Sequence, residues 1–334
     1  MSSSLTSLTG IKPTGMPHLG NYLGAIRPAI EKTDHYRGVY FIADYHALTS
    51  VWNGDEMRKQ IYQVAATWLA LGLDPQKNLF YKQSDVPQVF ELTWILGCFT
   101  PKGFMNRAHA YKASTAKNLE HGEEIDANIG MGLYTYPLLM NADILLFRPD
   151  IVPVGADQKQ HVEFARDVAQ RFNNNYNCQL FKIPEAAIQE QTDVIPGLDG
   201  RKMSKSYGNT IDLFLPSKQL RKRVNSIVTN SQGVDEPKDP EACQIYKLYK
   251  LFATPEESAA LAERYRAGGM GWGEAKNALY ELLEKTFDEP RRRFDELMAD
   301  TSQIQAILDE GSARAREEAA KMMSEVRRVV GTSL

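Results

Sequence analysis

The sequence predicts an α/β protein in which a parallel sheet carries helices on both faces and an all-α region follows. Two observations lead there. Over the first half, short apolar runs suited to buried strands alternate with longer stretches of helical periodicity, the pattern of a doubly wound, Rossmann-like sheet. Beyond Leu213 the strand-like runs stop and helical periodicity alone continues. Ligands of such sheets sit beyond the carboxyl ends of the strands, where the strand order reverses.

The first strand is read at Leu5–Leu8, and the stretch Thr9–Asn21 after it organises the rest. It is rich in Gly and Pro, and it precedes Tyr22–Ile26, where apolar residues recur at helical spacing. A strand, a glycine loop and a helix start make an anion-binding corner, because the helix presents free N–H groups and its positive dipole end. His18 and Asn21 add donors, so the expected guest is a phosphate; a mere connection is the competing reading. The loop fits neither G-x-x-x-x-G-K-[ST] nor G-x-G-x-x-G, which disfavours a P-loop kinase or an ordinary dinucleotide site.

Gly38–Ala43 reads as the next strand and runs into Asp44-Tyr45-His46 at its carboxyl end. Helical periodicity follows over Asp55–Leu73, then a strand at Asn78–Lys82 and a helix at Val86–Cys98. Pro101–His121 is polar and reads as a loop or frayed helix. From Ile125 to Phe147 the chain is mostly helical. Tyr136, Met140 and Asp143 share a face if that helix is unbroken; if Pro137 starts a helix, Met140 and Asp143 remain together. Asp143 stands among Leu139, Met140, Ile144 and Leu146, and a carboxylate in such company needs a partner. Its functional reading is ligand binding; its plain reading is a capping or surface carboxylate. Ile151–Val154 is a further strand that breaks into Gly155-Ala156-Asp157-Gln158 before a helix, where an Asp suits a ribose hydroxyl or an N-cap. Pro196–Asn209 sets glycines around Lys202-Met203-Ser204-Lys205-Ser206, a basic loop suited to phosphate oxygens. Pro216–Thr229, Asp239–Ala253, Pro255–Ala267, Gly273–Phe287 and Arg291 to the end read as helices.

The chain has 334 residues, which suggests about two domains, and a net charge of −3, which implies no general affinity for polyanions. Local cations such as Arg221-Lys222-Arg223 are solvated helix faces by default, yet suffice for a nucleic acid held at a few phosphates. Neither a membrane-spanning run nor a signal peptide is read, and three dispersed cysteines suit a reducing, cytoplasmic setting without a zinc or iron–sulfur site.

Two motifs, modest singly, are specific together. Pro13-Thr14-Gly15-Met16-Pro17-His18-Leu19-Gly20-Asn21 resembles the "HIGH" signature of class I aminoacyl-tRNA synthetases, with Asn21 in place of the last histidine; Lys202–Ser206 matches the second signature unaltered. Tyr134–Leu146 and Val152–Gln158 resemble the bacterial tryptophanyl-tRNA synthetases, and the resemblance spans essentially the whole chain. It implies activation of L-tryptophan by ATP, with Mg²⁺, to tryptophanyl-adenylate and pyrophosphate, then transfer to the 3′ end of tRNA(Trp). Such chemistry needs alignment and neutralisation of charge more than acid–base groups. The resemblance further implies that His18, Lys202 and Lys205 are catalytic. ATP would be met by Lys12, Pro13, Thr14, Gly20, Asn21, Gly155, Ala156, Asp157, Val194, Met203, Ser204 and Ser206 besides the two lysines. Asp143 would accept the indole N–H, Tyr136 and Gln158 hold the amino group, and Met140, Val152, Val154 and Leu8 line the ring, with His46 close by. A homodimer is implied as well, formed through the helical insertion at about 101–147, as is a division into a catalytic domain, 1–212, and a helical anticodon-side domain, 213–334, whose last helix packs back on the first. Lys12, Leu8 and Ser114 depart from the commoner residues at their positions. The rivals are the sister enzyme for tyrosine and a synthetase-like RNA-binding regulator without catalysis.

Overall fold

The computed structural model describes residues 5–31, 36–155, 158–188 and 195–333. In chain order the elements are β1 (Leu5–Ile11), α1 (Leu19–Asn21), a π-helical turn (Tyr22–Ile26), α2 (Arg27–Glu31), β2 (Tyr36–Ile42), α3 (Asp44–Ala47), α4 (Gly54–Ala70) and β3 (Leu79–Lys82). A 3₁₀ turn (Gln83–Asp85), α5 (Gln88–Phe99), α6 (Lys102–Met105), α7 (His109–Glu120), α8 (Met131–Leu146), β4 (Ile151–Val154), α9 (Lys159–Asn175) and β5 (Glu185–Ile188) follow. A second 3₁₀ turn (Lys205–Tyr207) precedes α10 (Ser217–Asn225), α11 (Gln244–Lys250), α12 (Pro255–Ala267), α13 (Trp272–Ala299) and α14 (Thr301–Val330).

Compactness divides the chain into two units that do not follow chain order. One comprises Met1–Gly15, Pro28–Gln189 and Asp300–Leu334; the other comprises Met16–Arg27 and Glu190–Ala299.

The first unit is built on a parallel sheet of order β3-β2-β1-β4-β5. The expected α/β class is therefore observed. The chain leaves β1 for β2 and β3 on one side and returns to β4 on the other, so the order reverses at β1. Ile11, Ile42 and Lys82 end level with one another, which sets the residues after β1, β2 and β3 along one rim. The core takes in Leu8, Val39, Phe41, Leu79 and Tyr81 of the sheet and the apolar faces of α5, α8, α9 and α14. β5 is missing from the sequence reading because Glu185–Ile188 is short and only partly apolar. The polar stretch read as a loop or frayed helix holds α6 and α7; Tyr111 supplies the buried anchor, with its hydroxyl donating to Asp126 at 2.7 Å. Pro137 does not start a new helix. α8 runs through it, at the loss of one backbone hydrogen bond, because α5 and α9 pack along its length.

α14 closes over β3, the edge strand, and covers backbone that would otherwise face solvent. Gly311 makes this possible: a Cβ there would lie 1.7 Å from the Phe80 carbonyl oxygen. Asp300 starts the helix by accepting from the Ser302 N–H at 3.1 Å, and Gly331 ends it at φ +79°.

The second unit is helical. Thr254 and Glu257 form a reciprocal cap on α12. The break read between Phe287 and Arg291 is absent, since α13 continues through Pro290. Phe287 and Phe294, two turns apart on one face, pack against Tyr22, Phe214 and Phe252. That apolar stripe offsets the roughly 3 kcal/mol that an interior proline costs.

Candidate active site

At the rim of the first unit, Lys12 follows β1 and donates through Nζ to Thr49 Oγ1 at 2.9 Å; burial pushes its pKa down. Asp44 follows β2 and is buried. Its Oδ1 accepts from the N–H groups of Tyr45 (3.1 Å) and Ser84 (3.0 Å). Burial pushes its pKa up, against the pull of Ser84 and Lys82.

Asp143 lies behind this rim on α8 with no solvent exposure. It is not a helix cap. The Gln83 Nε2 amide donates to both of its carboxylate oxygens, at 2.9 Å and 2.8 Å, and His46 Nε2 lies 2.9 Å from Oδ2. Desolvation raises its pKa, and the hydrogen bonds and charge of His46 and the bond from Gln83 draw it back down. A carboxylate accepts about four hydrogen bonds, and Oδ1 takes a single one here, so acceptor capacity remains on that oxygen. Nothing in the spacing of the sequence could have named Gln83. It enters the centre by tertiary contact alone.

Tyr136 lies two turns back on the same helix. Its ring meets those of His46 and His161 edge-on, its hydroxyl is 3.4 Å from His161 Nε2, and burial raises its pKa. His46 and Tyr136 line a cavity of about 600 Å³ together with Tyr45, Leu48, Trp52, Phe90, Gly132 and Leu139. Met140 and Val154 are half-buried against the main core, whereas Leu8 and Val152 belong to it outright. Gly155 and Gln158 are exposed after β4, joined by the Gln158 N–H to the Gly155 carbonyl at 2.9 Å. Ala156, Asp157 and Val194, expected on the ribose and adenine, lie outside the described residues.

The two signatures share the second unit from Met16 onward. Pro17, His18 and Leu19 run antiparallel to Ile211–Leu213, with Leu19 N–H on the Ile211 carbonyl and Leu213 N–H on the Pro17 carbonyl, both at 2.9 Å. Asn21 Oδ1 accepts from the His18 N–H at 3.0 Å and closes the first turn. Gly20 leaves room for the His18 ring, because a Cβ there would lie 2.8 Å from it. His18 is buried and its Nδ1 has no partner among the described residues. Burial pushes its pKa down, and the charge of Lys205 adds to this while Asp212 opposes it. The charged form of the imidazole is thus disfavoured by its surroundings. The Lys205 ammonium is likewise destabilised by desolvation, with Asp212 restoring part of it.

The loop carrying Lys202–Ser206 is shaped by buried Asn209, another contributor without a sequence signal of its own. Asn209 accepts from the Ser204 N–H at 2.8 Å and donates to Asp199 at 2.7 Å and the Lys202 carbonyl at 3.1 Å. Met203 is buried, while Lys202, Lys205 and Ser206 are exposed. Pro13 is buried and Thr14 exposed on the first unit's side of the loop.

A family profile described as tRNA synthetases class I (W and Y) matches residues 2–288. The tryptophan–tRNA ligase of Neisseria meningitidis serogroup A is 50% identical over 327 residues, 97% of this chain and 97% of that protein. The tryptophan–tRNA ligase of Pseudomonas aeruginosa is also 50% identical, over 97% of this chain and 73% of its own length. The crystal structure of tryptophanyl-tRNA synthetase from Campylobacter jejuni complexed with ADP and tryptophan aligns with a TM-score of 0.90 at 44% identity, covering 98% of this chain and all of that one. The chain belongs to the class I tRNA synthetases of the tryptophan and tyrosine family.

Proposed function

We infer that the chain is a tryptophan–tRNA ligase. The observation that carries this reading is its 50% identity, over 97% of its length, with tryptophan–tRNA ligases. An oxygen of the tryptophan carboxylate attacks the α-phosphorus of ATP, the bond to the β-phosphate bridging oxygen breaks, and pyrophosphate leaves. A ribose hydroxyl at the 3′ end of tRNA(Trp) then attacks the adenylate carbonyl carbon, and AMP leaves. The residues singled out in the second unit are donors and cations, which suits a reaction that moves negative charge.

The individual roles are part of the proposal. His18, Lys202 and Lys205 stabilise the phosphates as charge shifts to pyrophosphate. Lys12, Thr14, Asn21, Gly155 and the Met203–Ser206 segment bind the rest of ATP. Asp143 accepts the indole N–H, with Tyr136 and Gln158 on the amino group. A buried acceptor already met by two protein groups, Gln83 and His46, suits an indole N–H; a phenol would be better served by a partner able both to give and to take. Mg²⁺ is proposed to arrive on the phosphates of ATP, held largely through their oxygens and water.

Assembly and partners are proposed as follows. Trp52 and Trp94 are 88% and 76% exposed, and Leu48, Tyr45 and Phe90 gather around the same cavity as Trp52. Leu133 and Leu139 of the helical insertion at about 101–147 line that cavity too, and the exposed rings beside them support a homodimer through that insertion. Among the described residues no helix is long and apolar enough to cross a membrane, and a cytoplasmic site of action suits an enzyme of translation. The helical part after Leu213 is proposed to meet the anticodon side of the tRNA. There Lys222 is exposed, whereas Arg221 stacks on Tyr280 at 3.9 Å and bonds Asn277.

Amino-acid-dependent exchange of pyrophosphate into ATP tests the reading. Exchange with tryptophan, and not with tyrosine, is expected; exchange with tyrosine alone would replace it by the sister activity.

A further inference from the structure

Resting on the reading of Asp143 as the indole acceptor, we propose that Gln83 is a positioning residue for amino-acid recognition, holding the Asp143 carboxylate in one orientation as an acceptor. Gln83 has no solvent exposure. The direction of its amide follows from the other end: Oε1 accepts the backbone N–H of Tyr45 at 3.2 Å, and a backbone N–H only donates. The amide NH₂ must then face Asp143, where it bridges both carboxylate oxygens. Nearly equal distances from one nitrogen centre the amide between the two carboxylate oxygens, so the carboxylate keeps both oxygens turned toward Gln83 and cannot swing away without losing one contact.

Gln83 is itself held from three sides. It opens the 3₁₀ turn Gln83–Asp85, whose Ser84 N–H is fixed by Asp44. Lys82 Nζ, at the end of β3, pairs with Asp85 of the turn at 2.9 Å. From α14, Ser312 donates to Asp85 Oδ2 at 3.0 Å and Arg316 to the Asp85 carbonyl at 3.1 Å. This bracing places a rigidly held amide donor against the one fully buried carboxylate among the described residues.

The titratable groups facing Asp143 are His46 and Asp44 from α3 and Tyr81 from β3. Asp44 and burial favour its neutral form; His46 and Gln83 favour the anion. Deleting the Gln83 donors therefore moves the Asp143 pKa upward, and a protonated Asp143 has lost acceptor capacity toward the indole.

The test is the pH profile of kcat/KM for tryptophan in pyrophosphate exchange, measured for the wild type, Gln83→Met and Gln83→Glu, with KM for ATP followed in parallel. Gln83→Met keeps the length without donors. Its acidic limb is expected to move up by about one pH unit, with a fall of about tenfold for each unit lost on that limb, while KM for ATP is unchanged. Gln83→Glu, which keeps shape and polarity if Met disturbs folding, puts two carboxyl groups together that must share a proton. It is expected to show a new loss of kcat/KM as pH rises. Variants that are folded by near-ultraviolet circular dichroism yet keep the wild-type profile would overturn the role of Gln83. A wild type without tryptophan-dependent exchange would instead remove the functional reading, and the proposal with it.

Discussion

The two compact units hold their candidate residues in opposite physical settings. In the first, Asp143 is sealed from solvent and its charge is met by Gln83, a neutral donor, and by His46. In the second, Lys202 and Lys205 are exposed on a loop, and the surroundings of buried His18 disfavour its charged form. A buried, pre-oriented acceptor distinguishes ligands by what they leave unpaired, because an unsatisfied buried group costs about 1–3 kcal/mol. Exposed cations discriminate little, but they follow charge as it moves, which is where the barrier to phosphoryl chemistry lies. Recognition and rate are thus expected to respond to different substitutions.

The largest effect is expected on rate. Lys205→Ala, and Lys202→Ala beside it, should slow adenylate formation by about 10²–10³-fold, the scale of one lost transition-state donor, while tryptophan affinity measured by calorimetry stays unchanged. An equal fall in affinity and rate would erase the distinction between the units. The next effect falls on the frame of the first unit. Gly311→Ala forces a methyl group against the Phe80 carbonyl and should cost about 1–3 kcal/mol of stability by thermal unfolding. Because α14 also braces the turn that carries Gln83, the ratio of kcat/KM for tryptophan over phenylalanine should fall in the same variant, with kcat for bound tryptophan little altered.

A smaller and separate effect is expected from Lys222→Glu. It should weaken use of tRNA and lower the slope of log affinity against log salt by about one, leaving pyrophosphate exchange intact. A parallel loss in both reactions would assign Lys222 to folding. The smallest is a shift in one titration. The positive charge of Lys205 disfavours the imidazolium of His18, so Lys205→Ala should raise the His18 pKa toward, but not up to, its ordinary value, burial being unchanged. Nuclear magnetic resonance of the ring protons reads this directly, and an unmoved titration would separate the two residues.

Much of this was legible in the sequence wherever a local pattern carries the physics. Gly38–Ala43 and Asn78–Lys82 are strands because they are short, apolar and bounded by breaks, and β2 and β3 lie there within two residues. His18 and Lys202–Ser206 stood out by composition. Gln83 and Asn209 did not, since a lone amide has no period and its worth depends on what tertiary structure brings within 3 Å. Pro290 misled, and Pro137 left two readings open, for the opposite reason: proline carries a strong local signal, which packing along α8 and α13 overrides. Compactness also groups His18 with the chain beyond Glu190, and α14 with the sheet, pairings across more than a hundred residues that spacing does not encode.

The central claim is that Asp143 sets the choice of amino acid. In a folded Asp143→Ala variant the donors of Gln83 and His46 lose their acceptor and the indole N–H loses its own. Asp143→Asn keeps one accepting oxygen but turns the other position into a donor facing Gln83 or His46, so its loss should be the smaller of the two. The measurement is kcat/KM for tryptophan and for phenylalanine in pyrophosphate exchange, wild type against Asp143→Ala. The account predicts a fall of about 5- to 150-fold for tryptophan and a much smaller one for phenylalanine, so that the gap between them narrows. An unchanged ratio in a protein that is merely less stable would contradict it and return Asp143 to a structural role.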